Sequence, residues 1–202
     1  MSIINKFKSG EITAGELRDM AAKDPALRAE LSSFLDEELS DDELMGVAAA
    51  GAWLKGTNAD DFIVGGDGRD RLYGGGGEDV LMGGDGSDTL DGGFRDNASD
   101  VLMGGDGNDV AIWGPSKDGS DFFDGGDGYD LLKVDLTATG HDSIQAALEG
   151  GYLTLSIAGD PDFVPAFDEN GNLVLPEGVS GQITGPTGES MTFTDVEKIG
   201  KY

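Results

Sequence analysis

GGDGRDRLYGGGGEDVLMGGDGSDTLD, residues 65–91, contains three consecutive copies of a nine-residue motif, and this repetition decides the fold. Two more complete copies of the motif occupy residues 104–112 and 125–133. Less regular copies occupy residues 56–64, 92–103 and 113–124, so that eight copies fill residues 56–133. A fixed period of this kind predicts stacked structural repeats, because a flexible glycine-rich linker does not keep an apolar residue at every ninth position.

Each position of the repeat has its own residue type. Positions 1, 2 and 4 are Gly, which predicts sharp turns with positive φ at these positions. Six residues should form a polar turn and three a short strand with one inward side chain, so that two copies make one coil. The Asp of position 6 is Asp61, Asp70, Asp79, Asp88, Asp100, Asp109, Asp121 and Asp130. The apolar residue of position 8 is Ile63, Leu72, Leu81, Leu90, Leu102, Ala111, Phe123 and Leu132.

So thin a core cannot hold the repeats together by itself. Residues 56–133 contain 18 acidic and five basic residues, and the whole chain has a net charge of −27. The many glycines add a large entropy cost on folding, and this composition alone predicts disorder. Calcium would compensate, because it binds about six to eight oxygen ligands and takes carbonyls as readily as carboxylates. Its binding free energy then becomes folding free energy.

The motif G-G-x-G-x-D-x-U-x, where U is a large apolar residue, resembles the RTX (haemolysin-type) calcium-binding nonapeptide repeat. The resemblance covers residues 56–133 and implies a mainly β protein built on a calcium-bound parallel β-roll. It also implies calcium ions between copies i and i+2 on one side of the roll. One turn then supplies the carbonyls of positions 2 and 4 with its Asp, and the next supplies the carbonyls of positions 1 and 3 with its Asp.

This mapping separates the two sides of the roll. The regular side has the four intact turns that begin at residues 65, 83, 104 and 125, and the irregular side has the other four. The expected pairs are Asp70 with Asp88, Asp88 with Asp109 and Asp109 with Asp130 on the regular side, and Asp61 with Asp79 on the irregular side. Three extra residues in each twelve-residue copy should distort the turns of Asp100 and Asp121. We expect about four to six calcium ions. The further ligand residues implied are Gly66, Gly68, Gly74, Gly76, Gly83, Gly84, Asp85, Gly86, Gly104, Gly105, Asp106, Gly107, Gly125 and Asp127.

Composition restricts the partners and the chemistry. The acidic charge disfavours nucleic acid and anionic membrane surfaces. Absence of cysteine excludes disulfides and thiolate zinc sites, and no apolar run is long enough for direct membrane insertion. The single histidine, His141, has no second His and no His-Glu-x-x-His motif to complete a zinc or nucleophile site, so we expect no enzyme activity.

Residues 1–50 predict a helical segment that contains few glycines. Leu27, Leu31, Leu35 and Leu39 recur every fourth residue and mark one apolar face. Asp24 followed by Pro25 is typical of a helix start. Helices are expected near residues 13–23, 25–39 and 41–50.

The end of this segment, LSDDELMGVAAAGA from Leu39, resembles a double-glycine leader, and AAKDPALRAELSSFL before it is similar to a Nif11-type leader. Leu39, Leu44 and Val47 occupy the apolar positions of such leaders, and a cut after Ala50 or Gly51 is implied. The resemblance implies an ABC-type export machinery as partner. The alternatives are a helical cap on the open end of the roll or a double-alanine cleavage site.

Residues 134–202 leave the repeat and predict a β-rich C-terminal cap. YLTLSI from Tyr152 alternates like a half-buried strand, and NLVL, GQIT and MTFTDVEKI are further short strands. The last of these is similar to the F-x-x-V-E-x-I strand that follows RTX rolls, and the tail is a candidate type I export signal. The domains expected are therefore residues 1–50, 51–133 and 134–202.

The function expected is that of a secreted, non-enzymatic calcium-binding protein. Such a roll would fold outside the cell, where calcium is about millimolar and weak extracellular sites fill. It would serve as a surface, matrix or adhesion component, with a surface polysaccharide or its own copies as partners. Two alternatives are the RTX portion of a secreted hydrolase and a leader-bearing precursor that is processed on export.

Overall fold

Short strands alternate across the repeats and build a parallel β-roll. The computed structural model describes residues 51–93, 96–115 and 118–202; the helical segment and leader predicted for residues 1–50 lie outside this part of the chain. The repeat strands are β1 Trp53–Lys55, β2 Phe62–Asp67, β3 Arg71–Tyr73, β4 Val80–Asp85, β5 Thr89–Asp91, β6 Val101–Gly107, β7 Val110–Trp113, β8 Ser120–Gly128 and β9 Leu131–Val134.

These strands form two sheets that face each other. The first sheet contains β1, β3, β5, β7 and β9 in that order, and the second contains β2, β4, β6 and β8. Every neighbouring pair among them is parallel, with a register that advances one coil at a time. The mainly β fold with a parallel roll is therefore confirmed.

The register places the position-8 side chains in two lines inside the roll. One line is Ile63, Leu81, Leu102 and Phe123, and the other is Leu54, Leu72, Leu90, Ala111 and Leu132. All except Leu54 are at most 2% exposed. Burying a large apolar side chain stabilises by about 1.5–3 kcal/mol. Leu54 pairs with Leu72 one copy before the recognisable repeats, so the roll begins earlier than the repeat sequence does.

The C-terminal segment contains a short helix and six short strands. Helix α1, Ile144–Glu149, begins at the N-cap Ser143, whose hydroxyl accepts a hydrogen bond from the Ala146 amide. The strands are β10 Thr154–Ile157, β11 Ala166–Phe167, β12 Leu173–Val174, β13 Gly181–Thr184, β14 Ser190–Thr194 and β15 Lys198–Lys201.

The last two strands continue the roll. Strand β14 pairs in parallel with β8, which aligns Phe193 with Phe123. Strand β15 pairs in parallel with β9, which aligns Ile199 with Leu132. Antiparallel pairing then extends both sheets, through β13 to the edge strand β10 and through β12 to the edge strand β11. One hydrophobic cluster runs from Ile63 to Ile199, so the C-terminal strands share the core of the repeats.

Candidate calcium sites

Glycine is required in each turn for two different reasons. Positions 2 and 4 have positive φ, for example +108° at Gly105 and +138° at Gly107, which residues with a Cβ rarely adopt. The expectation of positive φ at position 1 is wrong. Position 1 is Gly because a Cβ at Gly65 would lie 2.8 Å from Asp70 Oδ2 and 2.5 Å from the carbonyl oxygen of Gly83. The space beside position 1 is therefore occupied by a carboxylate oxygen and a backbone carbonyl oxygen.

Backbone carbonyls converge on the gap between successive turns of the regular side. The Gly84 carbonyl, at position 2, and the Gly86 carbonyl, at position 4, both face the following turn, against Gly105 and Gly107. The position-1 carbonyl of Gly104 faces back toward the preceding turn. The position-3 carbonyls also face the preceding turn. The Asp85 carbonyl accepts a hydrogen bond from the Gly68 amide at 2.5 Å, and the Asp106 carbonyl accepts one from the Gly86 amide at 2.7 Å.

The position-6 aspartates form a ladder that links each coil to the next. On the regular side the Asp70 amide donates to Asp88 Oδ1 at 2.7 Å, and the amides of Asp88 and Asp109 donate in the same way to the next Asp, again at 2.7 Å. The irregular side repeats the pattern with the amides of Asp61, Asp79 and Asp100. One carboxylate oxygen of each acceptor is thus fixed by the backbone.

The second carboxylate oxygen has no protein partner on the regular side. Oδ2 of Asp70, Asp88, Asp109 and Asp130 is buried without a hydrogen bond, and on the irregular side the same holds for Asp79. A buried carboxylate oxygen without a donor is costly unless a cation lies beside it. These oxygens are aimed at the space where the carbonyls of adjacent turns converge.

The family model of the RTX calcium-binding nonapeptide repeat matches this part of the chain in four copies, over residues 55–93, 95–112 and 117–132. The roll is an RTX calcium-binding repeat region. Comparison with curated proteins and with solved structures gave no match.

The donors of the RTX roll suit calcium better than a transition metal. No group of three or more His, Cys, Asp or Glu side chains able to hold a metal occurs within residues 51–93, 96–115 and 118–202. Each regular gap instead offers carboxylate oxygens and several carbonyls, which is the hard, all-oxygen donor set that calcium prefers. In the Asp88–Asp109 gap, Asp88, Gly84 and Gly86 would supply ligands from one turn and Gly104, Asp106 and Asp109 from the next.

Burial disfavours the charged form of the position-6 aspartates of the RTX roll when no cation lies beside them. It raises the pKa of Asp88 to about 6 and that of Asp109 and Asp130 to about 7, although the backbone amide bonded to each carboxylate acts in the opposite direction. Neighbouring carboxylates raise these pKa values further. A divalent cation in the gap would remove this penalty by favouring the charged form.

The irregular side uses its carboxylates differently. Asp61 Oδ2 accepts hydrogen bonds from the Thr57 amide at 2.5 Å and hydroxyl at 3.0 Å, which closes the first turn on itself. Asp118 Oδ2 closes the last turn in the same way by accepting the Gly114 amide at 2.6 Å. Burial raises the pKa of Asp79 to about 8, and the carboxylates of neighbouring aspartates add to this shift.

Two carboxylates of the irregular side lie outside the positions that the repeat identifies. Asp91 Oδ1 and Asp96 Oδ2 are buried and have no hydrogen-bond partner. Burial raises the pKa of Asp91 to about 7, with the nearby Asp118 as the second cause. Asp91 stands at position 9 and Asp96 within the extra residues of a stretched copy, so the only sequence signal is an acidic residue beside an irregular turn.

The C-terminal segment holds the single histidine in a packing role. His141 Nδ1 lies 3.2 Å from the Thr139 hydroxyl, and its ring centroid is 4.8 Å from that of Tyr152. No helix in the described ranges is both long and apolar enough to cross a membrane.

Proposed function

We propose that the protein is secreted and folds on binding calcium outside the cell, where it acts without enzyme activity as a surface or matrix component. The observation that carries this proposal is the row of buried, unpartnered Oδ2 atoms at Asp70, Asp88, Asp109 and Asp130. Such a row destabilises the roll when calcium is scarce and stabilises it when calcium is abundant. Calcium is scarce inside cells and about millimolar outside, within the affinity range of extracellular modules.

The first test is calcium-dependent folding of the full chain. Circular dichroism should show β-structure increasing when calcium is added to the metal-free protein, with magnesium as the control cation. Magnesium prefers a rigid octahedral shell with its own waters, so it should replace calcium poorly. A roll that is fully formed in chelator and unchanged by calcium would contradict the proposal.

Export requires a separate test, which we base on the sequence of residues 39–51. We propose that an ABC-type exporter removes the leader after Ala50 or Gly51, immediately before β1. N-terminal sequencing of protein recovered outside the producing cells should begin at residue 51 or 52. Intact chain starting at Met1 would favour the helical cap instead, and short peptides would favour a processed precursor.

A non-enzymatic role is supported by the described side chains. His141 contacts a hydroxyl and an aromatic ring, and the buried position-6 carboxylates of the regular side line the proposed calcium sites. A hydrolase would need an ionisable group paired with a nucleophile or a water-activating base in a pocket. Hydrolysis of ester, peptide or glycoside substrates by the calcium-loaded protein, lost in a His141→Ala variant, would overturn this part of the proposal.

The outer face of the first sheet is the surface that we propose for a polysaccharide partner. A cavity of about 420 Å³ on this face is lined by residues that include Trp53, Arg71, Tyr73 and Lys133. Trp53 is 77% exposed. All the basic residues that lie in described strands are in this sheet, and Arg71 and Lys133 line the cavity together with one acidic residue, Asp91. Aromatic rings and cations together suit stacking against sugar rings and pairing with uronate carboxylates.

Retention on an immobilised polyuronate tests this surface. Trp53→Ala and Arg71→Glu should each reduce retention of the calcium-loaded protein, whereas Arg69→Glu, in a turn outside the cavity, should not. Equal losses in all three variants would contradict a specific surface. Retention that depends on protein concentration would point to self-association instead.

A further inference from the structure

The C-terminal coil contains a shortened copy of the repeat that its sequence does not display. Phe193 aligns with the position-8 residue Phe123, and Ile199 with the position-8 residue Leu132. Only five residues separate Phe193 from Ile199, whereas the regular repeat places eight between successive position-8 residues. In this register Asp195 takes position 1 and Glu197 takes position 6.

Hydrogen bonds support the same assignment of Glu197. The Asp130 amide donates to Glu197 Oε2 at 2.7 Å, the distance at which the Asp70, Asp88 and Asp109 amides donate to the next aspartate. The Lys198 amide donates to the Asp130 carbonyl, as the position-7 amides of earlier coils donate to the preceding position-6 carbonyls. Glu197 therefore closes the regular-side ladder.

Two further oxygens of the gap are in place, although the shortened turn has no position-3 carbonyl. Asp130 is fully buried and its Oδ2 has no partner. The Asp195 carbonyl faces Gly125 in the way that the Gly83 carbonyl faces Gly65. Asp195 has a φ of +49°, in the left-handed region that Asp adopts more readily than most residues other than Gly.

We propose that Asp130, Asp195 and Glu197 form a further calcium site, which joins the last repeat to the C-terminal coil. Its ligands are Asp130 Oδ2, the Asp195 carbonyl, the Glu197 carboxylate and, by the register of the repeat, the carbonyls of Gly126 and Gly128. Two of its ligand residues, Asp195 and Glu197, lie beyond the residues that the family model matches, which end at 132. The inference rests on the calcium-dependent folding proposed above.

The surrounding charges favour a cation at this position. Asp124 and Asp195 lie near Asp130 together with Glu197. Lys198, the residue after Glu197, forms an ion pair with Asp168, with its Nζ 2.6 Å from Oδ2. The irregular side has no equivalent, because Met191 aligns with Asp121 at position 6 of the same coil. The C-terminal coil therefore adds one site, on the regular side.

The test is the number of calcium ions bound by the full chain, counted by native mass spectrometry and equilibrium dialysis at saturation. Glu197→Gln keeps an acceptor for the Asp130 amide but loses the charge, and it should bind one calcium fewer than the parent protein. Glu177→Gln, an exposed control in the same segment, should bind the full number. An unchanged count in Glu197→Gln would overturn the proposal.

A steric variant gives an independent decision if Glu197→Gln fails to fold. A Cβ at Gly125 would lie 2.6 Å from Asp130 Oδ2 and against the Asp195 carbonyl, so Gly125→Ala should also lose this ion. Gly65→Ala makes the same change at the other end of the ladder. Calcium-induced protection of the Lys198 amide from hydrogen exchange should be lost in Gly125→Ala and kept in Gly65→Ala. Equal protection in both variants would overturn the proposal, whereas absence of calcium binding by the parent protein would refute the proposed function instead.

Discussion

Asp109→Asn gives the sharpest test of the regular-side calcium sites. Asp109 is fully buried, its Oδ1 accepts the Asp88 amide at 2.7 Å, and its Oδ2 has no partner. The asparagine carbonyl can keep the bond to Asp88, but its amide group would present hydrogens to the gap and remove a negative charge. Two proposed sites share this carboxylate, so both should be lost.

The expected loss follows from mass action. At 10 mM calcium, sites with Kd of about 10⁻⁴–10⁻³ M each stabilise the folded state by about 1.4–2.7 kcal/mol. Losing two sites should therefore cost about 3–5 kcal/mol and raise the calcium concentration needed for folding. Urea unfolding at 10 mM calcium and a calcium titration, both followed by circular dichroism, measure these effects.

The matched control is Asp106→Asn, which makes the same chemical change at an exposed side chain in the same turn. Its effect should stay within about 0.5 kcal/mol, because the proposed ligand there is the backbone carbonyl. Asp121→Asn, on the irregular side, should cost less than Asp109→Asn. Equal losses in Asp109→Asn and Asp106→Asn would refute the role of the carboxylate, and equal losses in Asp109→Asn and Asp121→Asn would refute the difference between the two sides.

Three further predictions concern pH, turn geometry and the core. In the folded state the pKa values of Asp79 and Asp88 are about 8 and 6, above the unfolded value of about 4. Protonation of these carboxyl groups therefore favours the folded state. Without calcium, the residual β-structure should be greatest below pH 4 and should decrease as the pH rises through 6–8. Protons then compete with calcium, and isothermal titration calorimetry should show weaker calcium binding at pH 5.5 than at pH 8. Gly107→Ala should cost at least about 1–3 kcal/mol in urea unfolding with calcium, because φ is +138° and the Cβ would overlap the Gly86 carbonyl. Leu102→Ala should cost about 2–5 kcal/mol in the same assay, against well under that for Thr89→Ala on the outer face.

The roll was predictable because two nine-residue copies of the sequence repeat form one coil of the structure. A Gly-rich turn followed by one inward apolar residue admits few packings, so the parallel pairing and the alignment of Ile63 with Leu81 follow from counting two copies of nine residues. The reason for Gly at position 1 was not predictable from the repeat alone. Sequence shows that a small residue is needed, but only coordinates show that the space is occupied by Asp70 Oδ2 and the Gly83 carbonyl.

The extension of the ladder into the C-terminal coil was missed for a related reason. The shortened turn removes the glycines that mark a copy, and Glu197 replaces the expected Asp with a longer side chain. The strand register of the repeat is kept in this coil, but the register depends on the folded structure and cannot be read from the sequence. Asp91 and Asp96 were missed because neither stands at an acidic position of the repeat, and the burial of their carboxylate oxygens is visible only in the folded structure.

Because β14 pairs in parallel with β8 and β15 with β9, the C-terminal coil could serve as a template for the strands before it. A polypeptide that leaves a narrow tunnel with its C-terminus in front presents this template first, and each later coil can add to a surface that already exists. A polypeptide that leaves with its N-terminus in front has this template only after β14 and β15 have emerged. The direction of threading therefore determines whether assembly is progressive or delayed, although the finished molecule is the same.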